Sequence, residues 1–236
     1  MLEINALRPW IADHLLVDEA LLTLRHQMEE HPARLVVVND LLNEAAVSDL
    51  AAFFSGGAEF EREFGLYSKD TDVTEDDWQR ADQADRFFRF DKLRGIRPEA
   101  ALEPAAIRYM RFRSWVAQPA FRGFMEVLTG LSLGPSDDFG AHRFRQGDFL
   151  RDHDDDNRGR RLSLVMYLTP DWRPEFGGAL TMQHPDSDEA STVPASFNSM
   201  AVFDVGVGSR HRVEAISEQA GDHNRCTFGG WFPDGS

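Results

Sequence analysis

A histidine and a carboxylate stand two positions apart at His153 and Asp155, and a second histidine, His211, follows 58 positions after the first. On extended backbone, side chains two apart point the same way, so His153 and Asp155 can reach one ligand together. His211 opens a second apolar, alternating segment, Val213-Glu214-Ala215-Ile216. Two imidazoles and one carboxylate fill one face of an octahedral metal and leave the other open, a donor set suited to Fe(II) that must take further ligands. Alone, each piece is weak. The acidic run from Asp152 to Asp156 has a competing reading as a solvated turn, and a lone histidine is more often packed or exposed than ligating.

Arg225 strengthens the case. It lies fourteen residues beyond His211, in Asn224-Arg225-Cys226-Thr227-Phe228-Gly229-Gly230-Trp231-Phe232, where alternation puts Arg225, Thr227 and Trp231 on one face. A guanidinium aimed into an apolar interior is costly unless an anion meets it. A dicarboxylate would supply that anion, because the guanidinium fork matches a carboxylate in bidentate geometry. Val165 and Tyr167 share one face of their own strand and offer a wall and a hydroxyl to the same carboxylate. The competing role for Arg225 is an ion pair at a strand end.

These residues need strands to position them, and the pattern supplies many. Ala141–Arg145 alternates, Phe149 leads to His153, and Leu162–Leu168 is the clearest strand. Ala179–Gln183, Met200–Val205, Arg212–Ile216 and Cys226–Phe232 follow, divided by Gly, Pro, Asp and Asn. Many short strands without intervening helices predict an antiparallel sandwich or barrel. Upstream, Asp18–Glu30 reads as a helix capped by Asp18, Arg34–Val38 as a strand, and Asn43–Phe54 as a helix ended by Gly56-Gly57. Glu59–Arg94 is ambiguous: Lys69–Asp85 is acidic and loop-like, a lid or a plain exposed loop, before a strand at Arg86–Asp91. Pro98–Met110 and Pro119–Leu128 are the next helices, the second with a core-facing stripe of Phe121, Phe124, Met125 and Leu128 and with Gly130 as its stop. The whole is expected to be mainly β with N-terminal α-helices: one domain, with 1–135 as a helical and strand support region and 136–236 as a jelly-roll (double-stranded β-helix) core.

From about Phe144 to Phe232 the chain resembles the catalytic domain of the prolyl 4-hydroxylase-like branch of the Fe(II)- and 2-oxoglutarate-dependent dioxygenases. Carrying the resemblance are Gly147-Asp148-Phe149, His153-Asp154-Asp155, Leu168-Thr169-Pro170-Asp171-Trp172, Phe176-Gly177-Gly178-Ala179-Leu180, Val193-Pro194, His211-Arg212-Val213 and Arg225 through Trp231. The Tyr-Leu-x-x-Asp-Trp order around Tyr167 is most similar to the oxygen-sensing type. The resemblance implies that His153, Asp155 and His211 hold iron, that Arg225 meets the distal carboxylate of 2-oxoglutarate with Tyr167 as its hydroxyl partner, and that Val165, Leu180, Val213 and Trp231 wall the pocket. It implies Fe(II), with 2-oxoglutarate and O2 as cosubstrates and ascorbate as an optional reductant. The implied reaction hydroxylates an unactivated C–H bond, of a prolyl residue, a free amino acid or another small molecule, and releases succinate and CO2. The alternative is a non-enzymatic cupin-type metal or ligand-binding barrel. Two features stand apart. Where relatives often carry a tyrosine this chain has Phe144, with His142 as the neighbouring replacement, and collagen-type relatives carry lysine in place of Arg225. Asp155 itself argues against halogenation, for which related enzymes put a small residue there.

The bulk properties narrow the partners. At 236 residues the chain is long enough to bury roughly 70% of its unfolded surface without staples. Its single cysteine, Cys226, permits no internal disulfide and suits a reducing, cytoplasmic setting. No apolar run is long enough to enter a membrane. A net charge of -15 opposes a phosphate backbone, so nucleic acid is not an expected partner. Against that field, Arg158-Gly159-Arg160-Arg161 is a solvated turn or a contact for an acidic substrate. His14, His26, His31, His184 and His223 are expected outside the site, Asp204 ends a strand or orients the site, and Cys226 packs in the sheet.

Overall fold

The alternation of β6 (Arg160–Tyr167) shows how the fold sorts its residues. Leu162, Leu164 and Met166 face one way into a core shared with the helices, while Val165 and Tyr167 face the other way into a second cluster inside the barrel. β11 (Arg225–Pro233) divides likewise: Cys226, Phe228 and Phe232 pack toward the helices, and Arg225, Thr227 and Trp231 line the interior cavity. A half-buried strand of period two does this wherever one face meets helices and the other a ligand space.

The structure is a computed structural model that describes residues 2–71, 73–155 and 159–236; Arg158 of the basic turn lies outside them. Eleven strands are paired antiparallel in the order β1-β9-β6-β11-β4-β3-β5-β10-β7-β8, with β2 on β3, in a sheet that curls into a jelly-roll-like barrel. These are β1 (Leu35–Val38), β2 (Ala58–Leu66), β3 (Arg86–Ile96), β4 (Phe139–Phe144), β5 (Phe149–His153), β7 (Leu180–Gln183), β8 (Ala190–Val193), β9 (Ser199–Asp204) and β10 (His211–Val213), besides β6 and β11. The N-terminal stretch joins this sheet: β1 pairs with β9, and β3 bridges β4 and β5.

The helices are α1 (Ile4–Leu7), α2 (Asp18–Glu30), α3 (Glu44–Ala52), α4 (Glu75–Arg80), α5 (Pro104–Val116) and α6 (Pro119–Thr129). They cover the outer face, with Phe112, Phe121 and Phe124 packed among Phe228 and Phe232. Asn43 caps α3, its side chain accepting from the Ala46 amide at 2.9 Å, and Gly130 ends α6 at φ +73°.

Several expectations are corrected. Asp18 is the first residue of α2 and makes no cap; Val17 holds that place, with no side-chain bond. The helix predicted over Pro98–Met110 divides into a short 3-10 turn at Pro98–Ala100 and α5, which Pro104 starts and which runs to Val116. The ambiguous Glu59–Arg94 stretch is a long hairpin of β2 and β3 with α4 in its connection. Its strands carry charges at nearly half of their positions, so hydrophobic alternation is faint there. Among the described residues no helix is long and apolar enough to cross a membrane.

Candidate functional site

β5 and β10 are paired with His153 directly opposite His211, which brings the ring centroids to 4.1 Å. Asp155 is not on the strand, which ends at His153; it lies two residues beyond, buried, with its oxygens 3.6 Å from His153 Nε2 and 3.5 Å from His211 Nε2. Those separations exceed hydrogen-bond length and leave room for an ion between the three groups, whose donor atoms all lie within 4.8 Å of one another. His153 Nδ1 lies 2.9 Å from the Arg151 carbonyl. A carbonyl accepts only, so the proton sits on Nδ1 and the Nε2 lone pair faces the cluster. Burial, reinforced by the neighbouring His153, pushes the His211 pKa down to about 4, so its ring is neutral and ready to donate at pH 7.

The cavity beside this triad holds about 360 Å³, and every one of His153, Asp155, His211, Val165, Tyr167, Leu180, Val213, Arg225 and Trp231 lines it. Arg225 is 2% exposed and forms no ion pair with any described residue. Its guanidinium carbon sits 5.1 Å from the ring centres of both Phe144 and Tyr167, and its Nε is buried without a hydrogen bond. The Tyr167 hydroxyl is likewise buried without a partner of acceptable geometry, and burial raises its pKa, keeping the proton available for donation. Gly178, at φ +71°, makes the approach possible: a Cβ there would come within 2.7 Å of Arg225 Cδ. The residues present therefore fit a metal with a carboxylate-bearing companion: three convergent donors, then a buried cation with no carboxylate partner among the described residues, beside a buried hydroxyl.

Other candidates fall outside this space. His184 and His31 both reach Ser191 Oγ, each at 2.9 Å. His223 packs against Phe176, and His14 and His26 are exposed. Asp204 accepts from the Gly206 amide and pairs with Arg161 at 2.9 Å, so it ends β9 rather than serving the site. Cys226 is buried toward the helices, and burial pushes its thiol up to about 11.

Sequence reasoning missed the contribution of β3. Phe87, Phe88 and Phe90 line the cavity, with the Phe87 ring 5.7 Å from that of His153. The run Arg86-Phe87-Phe88-Arg89-Phe90 announced a strand, but nothing local says that it crosses the mouth of the site. Of the two readings of the basic turn, the solvated one does not hold for Arg160: it stacks on Trp231 at 3.5 Å, bonds Asp138 at 3.1 Å and lines the cavity. A larger open groove of about 810 Å³ shares Phe87, Phe88 and His153 with the cavity and runs outward past Tyr67, Lys92 and Arg210.

Residues 139–233 match the model of the 2OG-Fe(II) oxygenase superfamily. Over this stretch the chain is similar to a 2OG-Fe(II) oxygenase domain. That domain implies Fe(II), 2-oxoglutarate and O2. Prolyl 3-hydroxylase OGFOD1 of Mus musculus is 29% identical over 154 residues, covering 61% of this chain and 26% of the mouse protein. Prolyl 3,4-dihydroxylase OGFOD1 of Ostreococcus tauri is 32% identical over 136 residues, covering 52% of this chain and 26% of its own. The chain thus spans about a quarter of the length of the curated relatives it matches. Among solved structures, a Pseudomonas putida prolyl-4-hydroxylase aligns with a TM-score of 0.58 at 21% identity, covering 91% of this chain and 98% of that one. A Trichoplax adhaerens prolyl hydroxylase, solved with a hypoxia inducible factor oxygen degradation domain peptide, gives 0.61 at 13% identity, covering 92% and 90%. At these identities the structural likeness speaks for the jelly-roll fold.

Proposed function

We propose that the chain is an Fe(II)- and 2-oxoglutarate-dependent hydroxylase acting on a prolyl residue of a protein or peptide, and that it works as one domain. The observation that carries this is the buried, unpaired Arg225 in the same cavity as His153, Asp155 and His211. A charge so placed lacks a counter-ion, and a cosubstrate carboxylate is the group that fits.

In this reading His153, Asp155 and His211 hold Fe(II), His153 oriented by the Arg151 carbonyl. Arg225 and Tyr167 fix the distal carboxylate of 2-oxoglutarate, while Val165, Leu180, Val213 and Trp231 keep water from its methylene chain. Bound Fe(II), supplied with 2-oxoglutarate and O2, provides the oxidising power, with succinate and CO2 as by-products and ascorbate as an auxiliary reductant. The aromatic rings of β3 line the cavity beside the triad, and the adjoining outer groove of about 810 Å³ offers room for an extended chain. The names of the relatives support a prolyl target. The single cysteine suits the cytoplasm, and the net charge of -15 disfavours nucleic acid.

The first test is the visible absorption of anaerobic protein with Fe(II), before and after 2-oxoglutarate. A charge-transfer band in wild type that weakens in Asp155→Ala and in Arg225→Ala supports the reading. Metal bound without any band returns the protein to the cupin-type binding barrel.

A further inference from the structure

β4 places His142 directly opposite Thr227 of β11 on one side and Lys92 of β3 on the other. Thr227 is in turn opposite Tyr167 of β6. Residues paired across antiparallel strands share a face, so Tyr167, Thr227 and His142 form one row across the inner wall, and all three line the cavity. The next pair of these two strands on the same face is Arg225 with Phe144. Phe144 lays its ring against the Arg225 guanidinium and has no hydroxyl to offer.

His142 stands in this wall with nothing to bond. Its ring meets Phe90 edge to face, centroids 5.0 Å apart and planes at 76°, which fixes its tilt. Neither ring nitrogen forms a hydrogen bond to another described residue. Burial, with Lys92 and Arg225 adding repulsion, holds its pKa at about 4, so at pH 7 it is a neutral ring with one N–H donor and one acceptor. If packing alone were at stake, an apolar side chain would suit a wall of Phe90, Phe144 and Leu150 better than an imidazole with an unmet N–H.

Resting on the function proposed above, we propose that His142 is a positioning residue for the dicarboxylate cosubstrate: its ring N–H donates to the carboxylate that Arg225 neutralises, supplying the hydrogen bond that Phe144 cannot. The Tyr167–Thr227–His142 row then brackets that carboxylate from both neighbouring strands, and Phe90 holds the donor in place.

The test is calorimetric titration of Mn(II)-loaded protein, without O2, with 2-oxoglutarate, alongside titration with Mn(II) alone. His142→Phe is expected to weaken 2-oxoglutarate binding about tenfold, as loss of one hydrogen bond to a charged group does, with Mn(II) affinity and melting temperature unchanged. His142→Gln, which keeps an N–H donor, is expected to stay within about threefold of wild type, and provides the comparison should His142→Phe fold poorly. Adding Phe144→Tyr to His142→Phe is expected to restore most of the affinity, because the hydroxyl returns two residues away on the same strand face. The proposal is overturned if His142→Phe binds 2-oxoglutarate as wild type does, if Mn(II) affinity falls by the same factor, or if Phe144→Tyr gives no rescue. Wild type that binds Mn(II) but no 2-oxoglutarate removes the reading of the whole site, and this one with it.

Discussion

Arginines on the two faces of the barrel wall are treated in opposite ways. On the outer face Arg62, Arg89, Arg143 and Arg145 surround Asp91 and Asp148, which are 1% and 0% exposed. Arg62 and Arg89 both bind the Asp148 carboxylate, which also accepts from the Arg145 amide at 2.8 Å. This network ties the β2–β3 hairpin to the turn that leads into β5 and His153. On the inner face Arg225 has no carboxylate among the described residues, only aromatic rings. Where charge is matched within the chain the group holds structure; where it is left unmatched, in the proposed reading, it serves a ligand.

Mutating each group separates the two roles. Asp148→Ala leaves two guanidiniums facing an empty site and should cost about 3–5 kcal/mol of stability, lowering the melting temperature by roughly 10 °C in a chain of this size; a scanning calorimeter decides it. Arg225→Leu should do the reverse. It removes an uncompensated buried charge, so the ligand-free protein should melt no lower than wild type, while 2-oxoglutarate affinity falls at least about a hundredfold, or about 3 kcal/mol. If Arg225→Leu instead melts as low as Asp148→Ala, the inner arginine is structural and the contrast collapses.

Acid should sharpen the comparison from the histidine side. The folded pKa values of His142 and His211 are both about 4, below the ordinary 6.5. The unfolded chain therefore binds protons first as pH falls, and the folded state is disfavoured. The stability these two rings contribute is complete above pH 6.5 and is lost progressively down to pH 4, about 1–2 kcal/mol for each ring by pH 5. Urea titrations of metal-free protein at pH 7 and pH 5 should show the loss, and His142→Gln should show visibly less of it. The smallest effect belongs to the outer face of β11. With its thiol at about 11, on the order of one Cys226 in a thousand is ionised at pH 8, so iodoacetamide should label the folded protein only marginally and the unfolded protein fully. Rapid labelling of native protein would show that the sheet opens at that point.

Legibility followed the strength of local pattern. β6 and β11 were readable because one of their faces is apolar and the other carries a few polar groups at period two. β2 was not, because Glu59, Glu61, Arg62 and Glu63 interrupt the alternation, and its partner β3 lies some thirty residues away. Arg160 sits in what looks like a solvated basic turn, and its stacking on Trp231 depends on a strand pairing across 71 positions of sequence. Asp148 was quotable as part of a motif, but its partners Arg62 and Arg89 belong to the hairpin that local reading left ambiguous.

By itself the sequence determined the chemistry of the site: donor types, their spacing by two along the chain, and the lone arginine after the second histidine. Such features are local, set by residue type and by the period of extended backbone. Only the tertiary structure decided that β3 crosses the cavity mouth, that Arg225 is left without a carboxylate while its four counterparts are matched, and that His142 completes a row with Thr227 and Tyr167. Those outcomes depend on which strands become neighbours. Sheet register joins residues far apart in sequence, and no local period encodes that pairing.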